Sequence, residues 1–299
     1  MRESSLQAGA DRFSGYGDLY DEVRPVPPPE LADLLVAYCG HRPELVVDLG
    51  SGTGLSTRWA GEWARQVVGV EPSDDMLRVA RRHVGDHISF RRAWSHETGL
   101  PDRCADVVLA VQALHWMEPD PTFREVARLL RPGGVFAAVD CDWPPVVGDQ
   151  VAERAWDTCR SRIRVYETRL AAGLAGDELR EPVLDDDPEA AQHSGADAHR
   201  NRRLATGVKS WSKSGHLQRM TESGAFEWCR EVALASGETG NADRFVGLLR
   251  SQGDYQTLVR HGLDDEVLGV DQFAALAGER LGTDQRPWQF VYRARLGFA

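Results

Sequence analysis

The sequence predicts an α/β protein built on a doubly wound parallel sheet. An apolar run at 45–49 is followed at once by three glycines at alternate positions and then by an amphipathic segment. A strand, a glycine turn and a helix in that order form one half of a nucleotide-binding βαβ unit. A second apolar run, 67–70, ends in Glu71, and further apolar runs alternate with helical patterns. This alternation favours a parallel sheet with helices packed on it.

Composition narrows the class of protein. The chain has 299 residues and is 42% hydrophobic, which suits one large core with an appendage. No apolar run reaches the roughly 20 residues of a membrane span, and the N-terminal stretch lacks the apolar region of a secretory signal. Five scattered cysteines without a C-x-x-C spacing predict reduced, buried thiols in the cytoplasm and no metal site. The net charge of −11 predicts a small-molecule or peptide substrate and no nucleic acid, because no basic surface offsets phosphates.

The glycine turn indicates the kind of ligand. A dinucleotide site has G-x-G-x-x-G, with a helix N-terminus facing a pyrophosphate. Here the pattern is D-x-G-x-G-x-G from Asp48 to Gly54. The acid before the first glycine would repel a diphosphate but suits an ammonium group. Glu71 stands where a ribose-binding acid is expected. A ligand with a ribose, an amine and no phosphate is S-adenosylmethionine; the alternative is a generic NAD-binding unit.

Two strings now show a family resemblance. VVDLGSGTG and VVGVEPSDDML resemble motifs I and II of class I S-adenosylmethionine-dependent methyltransferases, and the string at 128–136 is also typical of that family. QALHW, at 112–116, is similar to a branch of trans-aconitate and ubiquinone-biosynthesis-like small-molecule enzymes. The resemblance implies a seven-stranded Rossmann-like sheet whose last strand is antiparallel. It also implies S-adenosyl-L-methionine as cofactor and S-adenosyl-L-homocysteine as product. It is tight over about 12–140 and loose thereafter.

The elements before residue 141 follow from periodicity. Residues 11–30 resemble the entry segment that forms a lid helix in many small-molecule methyltransferases. A helix is predicted over 28–39, and another from Leu55. A third begins after Pro72, with Ser73 as its cap and Met76, Ala80 and Val84 facing the sheet. The remaining elements predicted here are strands at 87–91, 106–111 and 135–140 and a helix over 121–131, which Pro132-Gly133-Gly134 ends.

Residues 148–215 depart from the minimal fold. Helical spacing predicts an amphipathic helix over 150–175. The acidic run at 185–187 and the polar residues at 192–203 show no periodicity, so we expect a loop there. In the family such an insertion after strand five covers the cofactor, so we expect a helical substrate lid; a dimerisation arm is the alternative. The sequence thus divides into a lid segment and cofactor-binding core at 1–147, the insertion at 148–215 and the rest of the core at 216–299.

The C-terminal part completes the predicted sheet. Spacing predicts a short helix from Gly215, a strand over 226–234, helices within 242–249 and 264–281, and a last strand from Trp288. In this last strand aromatic and aliphatic residues alternate with polar ones such as Arg293 and Arg295, so we expect one buried face and one exposed face.

The resemblance implies cofactor contacts in the segments that match family motifs. Where the family usually has an acidic or hydroxylated residue for the adenine amine, this chain has Trp94. Its indole either stacks on the base or packs in the core. Ser95 would donate its backbone N–H to the adenine edge. The cofactor-binding residues implied are Tyr16, Arg24, Asp48, Gly50, Ser51, Gly52, Gly54, Glu71, Pro72, Met76, Trp94, Ser95 and Gln112.

The loop after the fourth strand carries the candidate catalytic residue. Ligands of doubly wound sheets bind beyond the carboxyl ends of the strands, and His115 is the side chain of this loop that titrates near neutral pH. It acts either as a general base or as a residue that orients the loop. Candidate substrate walls are Tyr20, Trp116 and Trp143, and the alternative for Trp143 is packing of its loop. The rings of Tyr16 and Tyr20 either attract the sulfonium by cation–π interaction or pack the N-terminal helix on the core. A carboxylate acceptor would need no base, and Arg24 or another basic group would bind it.

The predicted function is methyl transfer to an O, N or C nucleophile of a small molecule, such as a natural product or peptide-derived acceptor. One alternative is an enzyme of the same fold that keeps the cofactor for a cyclisation or elimination. Another is a binding module with a degenerate site, against which Asp48, the glycine turn and Glu71 count. We expect a cytoplasmic enzyme, monomeric or homodimeric, without membrane attachment.

Overall fold

The computed structural model describes residues 15–183, 202–203 and 209–299. The chain divides into two compact units. The sheet unit comprises Pro25–Asp142, Trp211–Ser236 and Val291–Ala299, and the helical unit comprises the described residues of Met1–Arg24, Trp143–Ser210 and Gly237–Phe290. These units group 237–290 with the residues that follow the fifth strand. The three-part division at 147 and 215 stays a prediction, as does the lid role of 148–215.

Seven strands form the main sheet. They are β1 Leu45–Leu49, β2 Gln66–Val70, β3 Ile88–Arg91, β4 Ala105–Val111, β5 Leu130–Cys141, β8 Trp228–Gly240 and β9 Arg286–Phe298. Their order is β3-β2-β1-β4-β5-β9-β8, and a separate ladder joins β6 Arg202–Arg203 to β7 Lys209–Ser210. The first five strands pair in parallel, and β9 is antiparallel to β5. The doubly wound sheet with an antiparallel last strand is therefore confirmed.

Helices connect these strands. They are α1 Gly17–Val23, α2 Pro29–Cys39, α3 Leu55–Trp63, α4 Asp74–Ala80, α5 Pro119–Leu129, α6 Gln150–Ala171, α7 Gly176–Leu179, α8 His216–Glu222, α9 Ala242–Arg250, α10 Gly253–Arg260, α11 Asp265–Leu268 and α12 Val270–Leu281. Short 3-10 turns lie at Arg81–His83, Leu114–Trp116 and Lys213–Gly215. Proline begins α2 and α5, and Ser73 caps α4 as predicted. Within the described ranges, no helix combines the length and apolarity that a membrane crossing requires.

Three details of the predicted elements are wrong. Val84 does not face the sheet: its side chain is 53% exposed, because α4 ends at Ala80 and a 3-10 turn follows. The Pro-Gly-Gly string does not end the 121–131 helix, which ends at Leu129. The string lies within β5, at a shift in its register with β4. Arg295 does not lie on an exposed face of β9. It is 3% exposed, because carboxylates of β5 and β8 pair with it there.

Two further predictions concern the loop after the long helix and the five cysteines. The predicted loop at 185–187 and 192–201 lies outside the described residues, whereas Arg202–Arg203 form a short strand. The five cysteines are free thiols; Cys141 and Cys159 are buried, and the other three are half-buried.

Strands β1 and β4 supply the centre of the sheet. They are apolar along almost their whole length and nearly fully buried, as expected for parallel strands covered on both faces. Successive parallel strands end at one edge of the sheet, so the residues that follow β1 to β5 meet there. That edge holds the candidate site.

Candidate functional site

Two glycines of the turn after β1 have different surroundings. At Gly50, where φ is 68°, a Cβ would lie 2.7 Å from the Cβ of Ala113, so the turn packs closely against the loop after β4. At Gly52, φ is 54° and a Cβ would meet nothing within 4 Å. Only glycine adopts such backbone freely. The open side of Gly52 leaves its backbone accessible, while its N–H donates to Glu71 Oε2 at 3.0 Å.

Asp48, the last residue but one of β1, is fully buried. Its Oδ2 accepts hydrogen bonds from the hydroxyls of Ser56 and Thr57, both at 2.7 Å, which fixes the carboxylate at the start of α3. Its Oδ1 is buried and has no partner among the described residues. Burial raises the pKa of Asp48 to about 6, although the two hydroxyls favour the ionised form.

Glu71, directly after β2, is the second buried carboxylate. Its Oε1 accepts from the Ser73 N–H at 2.8 Å and its Oε2 accepts from Gly52. Burial raises the pKa of Glu71 to about 7, and the charge of Asp48 adds to this effect. Neither carboxylate has an ion-pair partner in the described part of the chain. Two acids held apart from any cation fit a ligand that carries its own positive charge.

The surroundings of these acids fit an amino-acid nucleoside. The hydroxyls of Ser51 and Thr53 are buried in the same turn and lack hydrogen-bond partners within the described residues. Met76 is buried at the start of α4, and Pro72 lies half-buried just before it. The predicted set from Asp48 to Met76 is therefore brought to one place. Which of these residues contact a cofactor stays a prediction.

The loop after β3 is anchored to α5. Ser95 Oγ lies 3.1 Å from Thr122 Oγ1. The N–H and hydroxyl of Thr98 donate to Glu125 Oε1 at 2.9 and 2.6 Å. Trp94 is half-buried, and its backbone bridges to Glu97. The loop thus has a fixed conformation, as a surface for a planar base requires.

The loop after β4 holds Gln112 in an uncommon conformation. Its φ is 53°, in the left-handed region that few non-glycine residues adopt. The Gln112 N–H donates to the Val139 carbonyl at 2.7 Å, and its Oε1 accepts from Lys213 Nζ at 2.7 Å. Its Nε2 is buried without an acceptor among the residues described. The side chain is therefore directed by the backbone and held by a lysine.

His115 lies on the 3-10 turn that follows and is 8% exposed. Its carbonyl accepts from the Trp211 N–H at 2.8 Å, and its ring centroid lies 4.6 Å from that of the half-buried Trp116. His115 Nδ1 is 3.7 Å from Asp140 Oδ1.

Asp140, near the end of β5, is the centre of a group that we call the Asp140 cluster: Asp140, His115, Lys213, His216 and Arg295. Lys213 Nζ lies 3.1 Å from Oδ1, and Arg295 Nη1 lies 2.9 Å from Oδ2. Burial alone would raise the pKa of Asp140, but the charges around it, Lys213 foremost, hold that pKa well below its usual range.

His216 is a neutral member of the cluster. Its Nδ1 lies 2.8 Å from Arg219 Nη2. Arginine can only donate, so Nδ1 accepts and the ring proton is on Nε2, 3.7 Å from Asp140 Oδ2. Burial lowers the pKa of His216 to about 4. Ligand atoms of His115, Asp140 and His216 lie within 4.8 Å of one another. A metal ion there would face the lysine and arginine already paired with the carboxylate, and their charges disfavour it. The absence of a metal site stays a prediction.

Three predicted residues meet in the helical unit. The Arg24 guanidinium lies 4.7 Å from the ring centroid of Tyr20 and 4.8 Å from that of Trp143. Its Nε and Nη2 donate to the Ser251 hydroxyl and carbonyl at 2.8 and 2.9 Å. Trp143 also stacks on Trp156 at 6.2 Å. These contacts support the packing alternative for Trp143. The ligand roles of Tyr20 and Arg24, and of the buried Tyr16, stay predictions.

Sequence reasoning missed four polar residues of the site: Asp140, Lys213, His216 and Arg295. A signal existed for Asp140, an acid that ends an apolar strand at the ligand edge. Lys213 is one of two lysines in the chain, but its position after a long insertion gave no spacing to read. The alternation of β9 hid Arg295, since it assigned that position to the exposed face.

Comparison with known proteins shows which families the sequence and the fold resemble. A family model described as a methyltransferase domain matches residues 47–138. The chain is 34% identical over 170 residues to the uncharacterised methyltransferase Rv3342 of Mycobacterium tuberculosis H37Rv. That match covers 56% of this chain and 62% of the relative, so the chain spans less than two thirds of the length of its mycobacterial relatives.

A second relative matches over more of its length. The 27-O-demethylrifamycin SV methyltransferase of Amycolatopsis mediterranei is 29% identical over 240 residues, which cover 76% of this chain and 78% of the relative. A solved structure of a candidate type II methyltransferase from Anaeromyxobacter dehalogenans has the same fold, with a TM-score of 0.58 at 23% identity over 92% of this chain and 97% of that one. Residues 47–138 therefore match a methyltransferase domain, and the two motifs and the sheet order agree with the class I S-adenosylmethionine-dependent methyltransferases that the sequence resembles.

Proposed function

We propose that the chain binds S-adenosyl-L-methionine and transfers its methyl group to an O, N or C nucleophile of a small molecule. The observation that carries this proposal is the pair of buried carboxylates, Asp48 and Glu71, which flank an open glycine turn and have no cationic partner among the described residues. The name of the Amycolatopsis relative, 27-O-demethylrifamycin SV methyltransferase, supports a small natural product as acceptor. The peptide-derived class stays open beside it.

The residues of the turn would hold the cofactor by charge and hydrogen bonding. Asp48 Oδ1 would accept from the ammonium group, and Glu71 would accept from the ribose hydroxyls with the lone pairs that its two amide donors leave free. Trp94 offers a half-buried face to the adenine. When bound, the cofactor supplies a methyl group on a positively charged sulfur. The main task left to the protein is to hold the acceptor in line, and positioning of this kind contributes ~7–11 kcal/mol.

His115 is the proposed general base for an acceptor that must lose a proton. It lies on the loop after β4, at the ligand edge of the sheet, and its backbone is held by Trp211. General-base catalysis contributes about 10²–10⁴-fold. His216, in the same cluster, is not a candidate base, because its Nδ1 accepts from arginine and its pKa is lowered to about 4.

Calorimetry with S-adenosyl-L-homocysteine, followed by mass detection of a methylated acceptor, tests the proposal. If neither S-adenosyl-L-methionine nor its product binds, the proposal is wrong. Turnover by the S-adenosyl-L-homocysteine complex, with no methyl group consumed, would support the alternative of cyclisation or elimination. His115→Ala should lower kcat about 10²-fold or more with little change in cofactor affinity; an equal loss in both would assign His115 to cofactor binding.

A further inference from the structure

We propose that Lys213 and Gln112 form a binding site for a carboxylate group, a role that the sequence assigned to neither residue. The inference rests on the proposed function, since it places this site beside the cofactor edge of the sheet unit. Its chemical basis is that the two side chains present hydrogen-bond donors that the protein itself does not use.

The donors can be counted. A lysine ammonium has three N–H groups. Lys213 Nζ has two acceptors, Gln112 Oε1 at 2.7 Å and Asp140 Oδ1 at 3.1 Å, so one N–H has no acceptor among the described residues. The Gln112 amide uses its oxygen for Lys213, and its Nε2 is buried without an acceptor. Buried amide donors are nearly always paired. An unused amide next to an unused ammonium N–H therefore matches the two oxygens of one carboxylate.

Both side chains are held in position before any ligand binds. The φ of 53° at Gln112 and the bond from its N–H to Val139 fix the start of its side chain. Asp140 fixes the ammonium, and Arg295 fixes the other oxygen of Asp140. A site with donors already in place loses less conformational entropy on binding.

The charge around the site favours an anion over a cation. Three cations and two anions are linked here by ion pairs or hydrogen bonds, and His216 is neutral: the cations are Lys213, Arg295 and Arg219, and the anions are Asp140 and Glu231. The neighbouring pair of Arg293 with Asp142 adds no net charge. The region therefore carries an excess positive charge within a chain whose net charge is −11. A metal ion would be repelled, whereas a carboxylate would be attracted.

The identity of the basic residue supports the same conclusion. Apart from Lys213, the cations that pair with carboxylates in the described residues are arginines or histidines, and the chain has two lysines in all. A lysine is a compact charge with three rotatable donors, so it can pair with Asp140 and Gln112 and still reach a ligand.

Two molecules could supply the carboxylate. One is the cofactor, whose amino-acid end carries a carboxylate. The other is an acceptor with an acid group, which would bind through it or be methylated on it without need of a base. The chemistry recognised is the same, and binding measurements separate the two sources.

The experiment compares Lys213→Met with Lys209→Met, which removes the other lysine and serves as the charge control. Calorimetry of the full chain would use S-adenosyl-L-homocysteine, and 5′-methylthioadenosine, which shares the nucleoside but lacks the amino-acid end. Benzoate and citrate, with uncharged benzamide as their control, would be titrated into the S-adenosyl-L-homocysteine complex. Gln112→Glu, which puts a negative charge at the site, should act in the same direction as Lys213→Met.

If the carboxylate belongs to the cofactor, Lys213→Met weakens S-adenosyl-L-homocysteine at least 10-fold and leaves 5′-methylthioadenosine within twofold of the wild type. If the carboxylate belongs to the acceptor, Lys213→Met binds both nucleosides as tightly as the wild type does. The wild-type complex then prefers benzoate or citrate to benzamide, and the Lys213→Met complex does not. The inference is overturned if Lys213→Met changes neither nucleoside and no acid binds the wild-type complex in preference to benzamide. It is also overturned if 5′-methylthioadenosine weakens in parallel, or if Lys209→Met has the same effect. Failure of the wild-type protein to bind either nucleoside would instead refute the proposed function.

Discussion

The ligand edge of the sheet holds two kinds of buried carboxylate with opposite electrostatics. Asp48 and Glu71 lie at the glycine turn and are held by hydroxyl and amide donors alone, and burial raises their pKa values to about 6 and about 7. Asp140, two strands away at β5, is as deeply buried. Its pKa is held well below the usual range by the positive charges around it, Lys213 foremost.

This difference separates a ligand site from a supporting one. A buried carboxylate without a cation is costly in the free protein and is stabilised when a cationic ligand arrives. A buried carboxylate that already has its cations stabilises the fold and fixes the direction of those cations. On this basis we propose that Asp48 and Glu71 bind a ligand, whereas Asp140 holds Lys213 and Arg295 in place by ion pairs.

The largest expected effect is a loss of folding stability when the charge of Asp140 is removed. Asp140→Asn leaves Arg295, which is 3% exposed, with Glu231 as its remaining acid, and leaves Lys213 without a counter-charge. Removing one partner of a buried ion pair costs ~3–5 kcal/mol. We expect a loss of about 3 kcal/mol in the free energy of unfolding at pH 7.5, measured by urea denaturation.

Asp142→Asn is the matched control. Asp142 pairs with Arg293 just beyond the same strand, but both side chains are nearly half exposed. Exposed pairs contribute ~0–1 kcal/mol. Equal losses for the two variants would contradict the contrast between a buried support and an exposed pair.

The next effect is the pH dependence of cofactor affinity. Asp48 and Glu71 must be ionised to attract a cationic ligand, and their raised pKa values mean that both protonate as pH falls from 8 to 5. We expect affinity for S-adenosyl-L-homocysteine to fall about 10- to 100-fold over that interval, since each pH unit below a coupled pKa costs up to tenfold. Calorimetry at pH 6 should also detect proton release on binding. Affinity that is flat or that rises toward pH 5 would show that the two acids do not meet the ligand as charges.

Sequence reasoning was accurate where local pattern decides structure. Five features depend on residues close in sequence, and each lies where it was predicted: the run of β1, the glycine turn, Glu71 after β2, the proline at the start of α2 and the Ser73 cap of α4. The acids of the glycine turn belong to the same class, because one motif contains Asp48 and the next contains Glu71.

The Asp140 cluster could not be predicted in this way. Its members come from β5, β9, the loop after β4 and the segment at 211–219, which only the folded chain brings together. Arg295 shows why: alternation along β9 predicts an exposed position, but Asp140 and Glu231 from neighbouring strands cover that face. The packing of Arg24 between Tyr20 and Trp143 is a second case, since nothing in the entry segment indicates residue 143 as its partner.

The comparison is sharpened by removing one acid of the ligand site. Glu71→Ala should weaken S-adenosyl-L-homocysteine binding by ~1–3 kcal/mol, because charge-assisted hydrogen bonds to the ribose are lost. Asp74→Ala is the control: Asp74 lies three residues further on, in an exposed pair with Arg92. The affinity of Asp74→Ala for S-adenosyl-L-homocysteine, measured by calorimetry, should stay within twofold of the wild type. Unchanged affinity in Glu71→Ala would contradict the ribose role.

The smallest effect concerns the stability of the ligand-free protein, and its sign is opposite to that of Asp140→Asn. A carboxyl whose pKa is raised in the fold loses stability as pH climbs from its unfolded pKa, about 4, through its folded pKa, about 6. Asp48→Asn removes that ionisation and keeps an acceptor for Ser56 and Thr57. It should therefore raise the free energy of unfolding by about 1–2 kcal/mol at pH 8 and by about half as much at pH 5, in the middle of that interval.

The same variant should bind S-adenosyl-L-homocysteine more weakly, because the charge that attracts the ammonium group is gone. Urea denaturation of the free protein at both pH values, set beside calorimetry, measures the two effects independently. A destabilised Asp48→Asn at pH 8 would mean that the carboxylate supports the fold as Asp140 does. A stabilised variant with weakened binding is the result expected of an acid that the free protein keeps at a cost for its ligand.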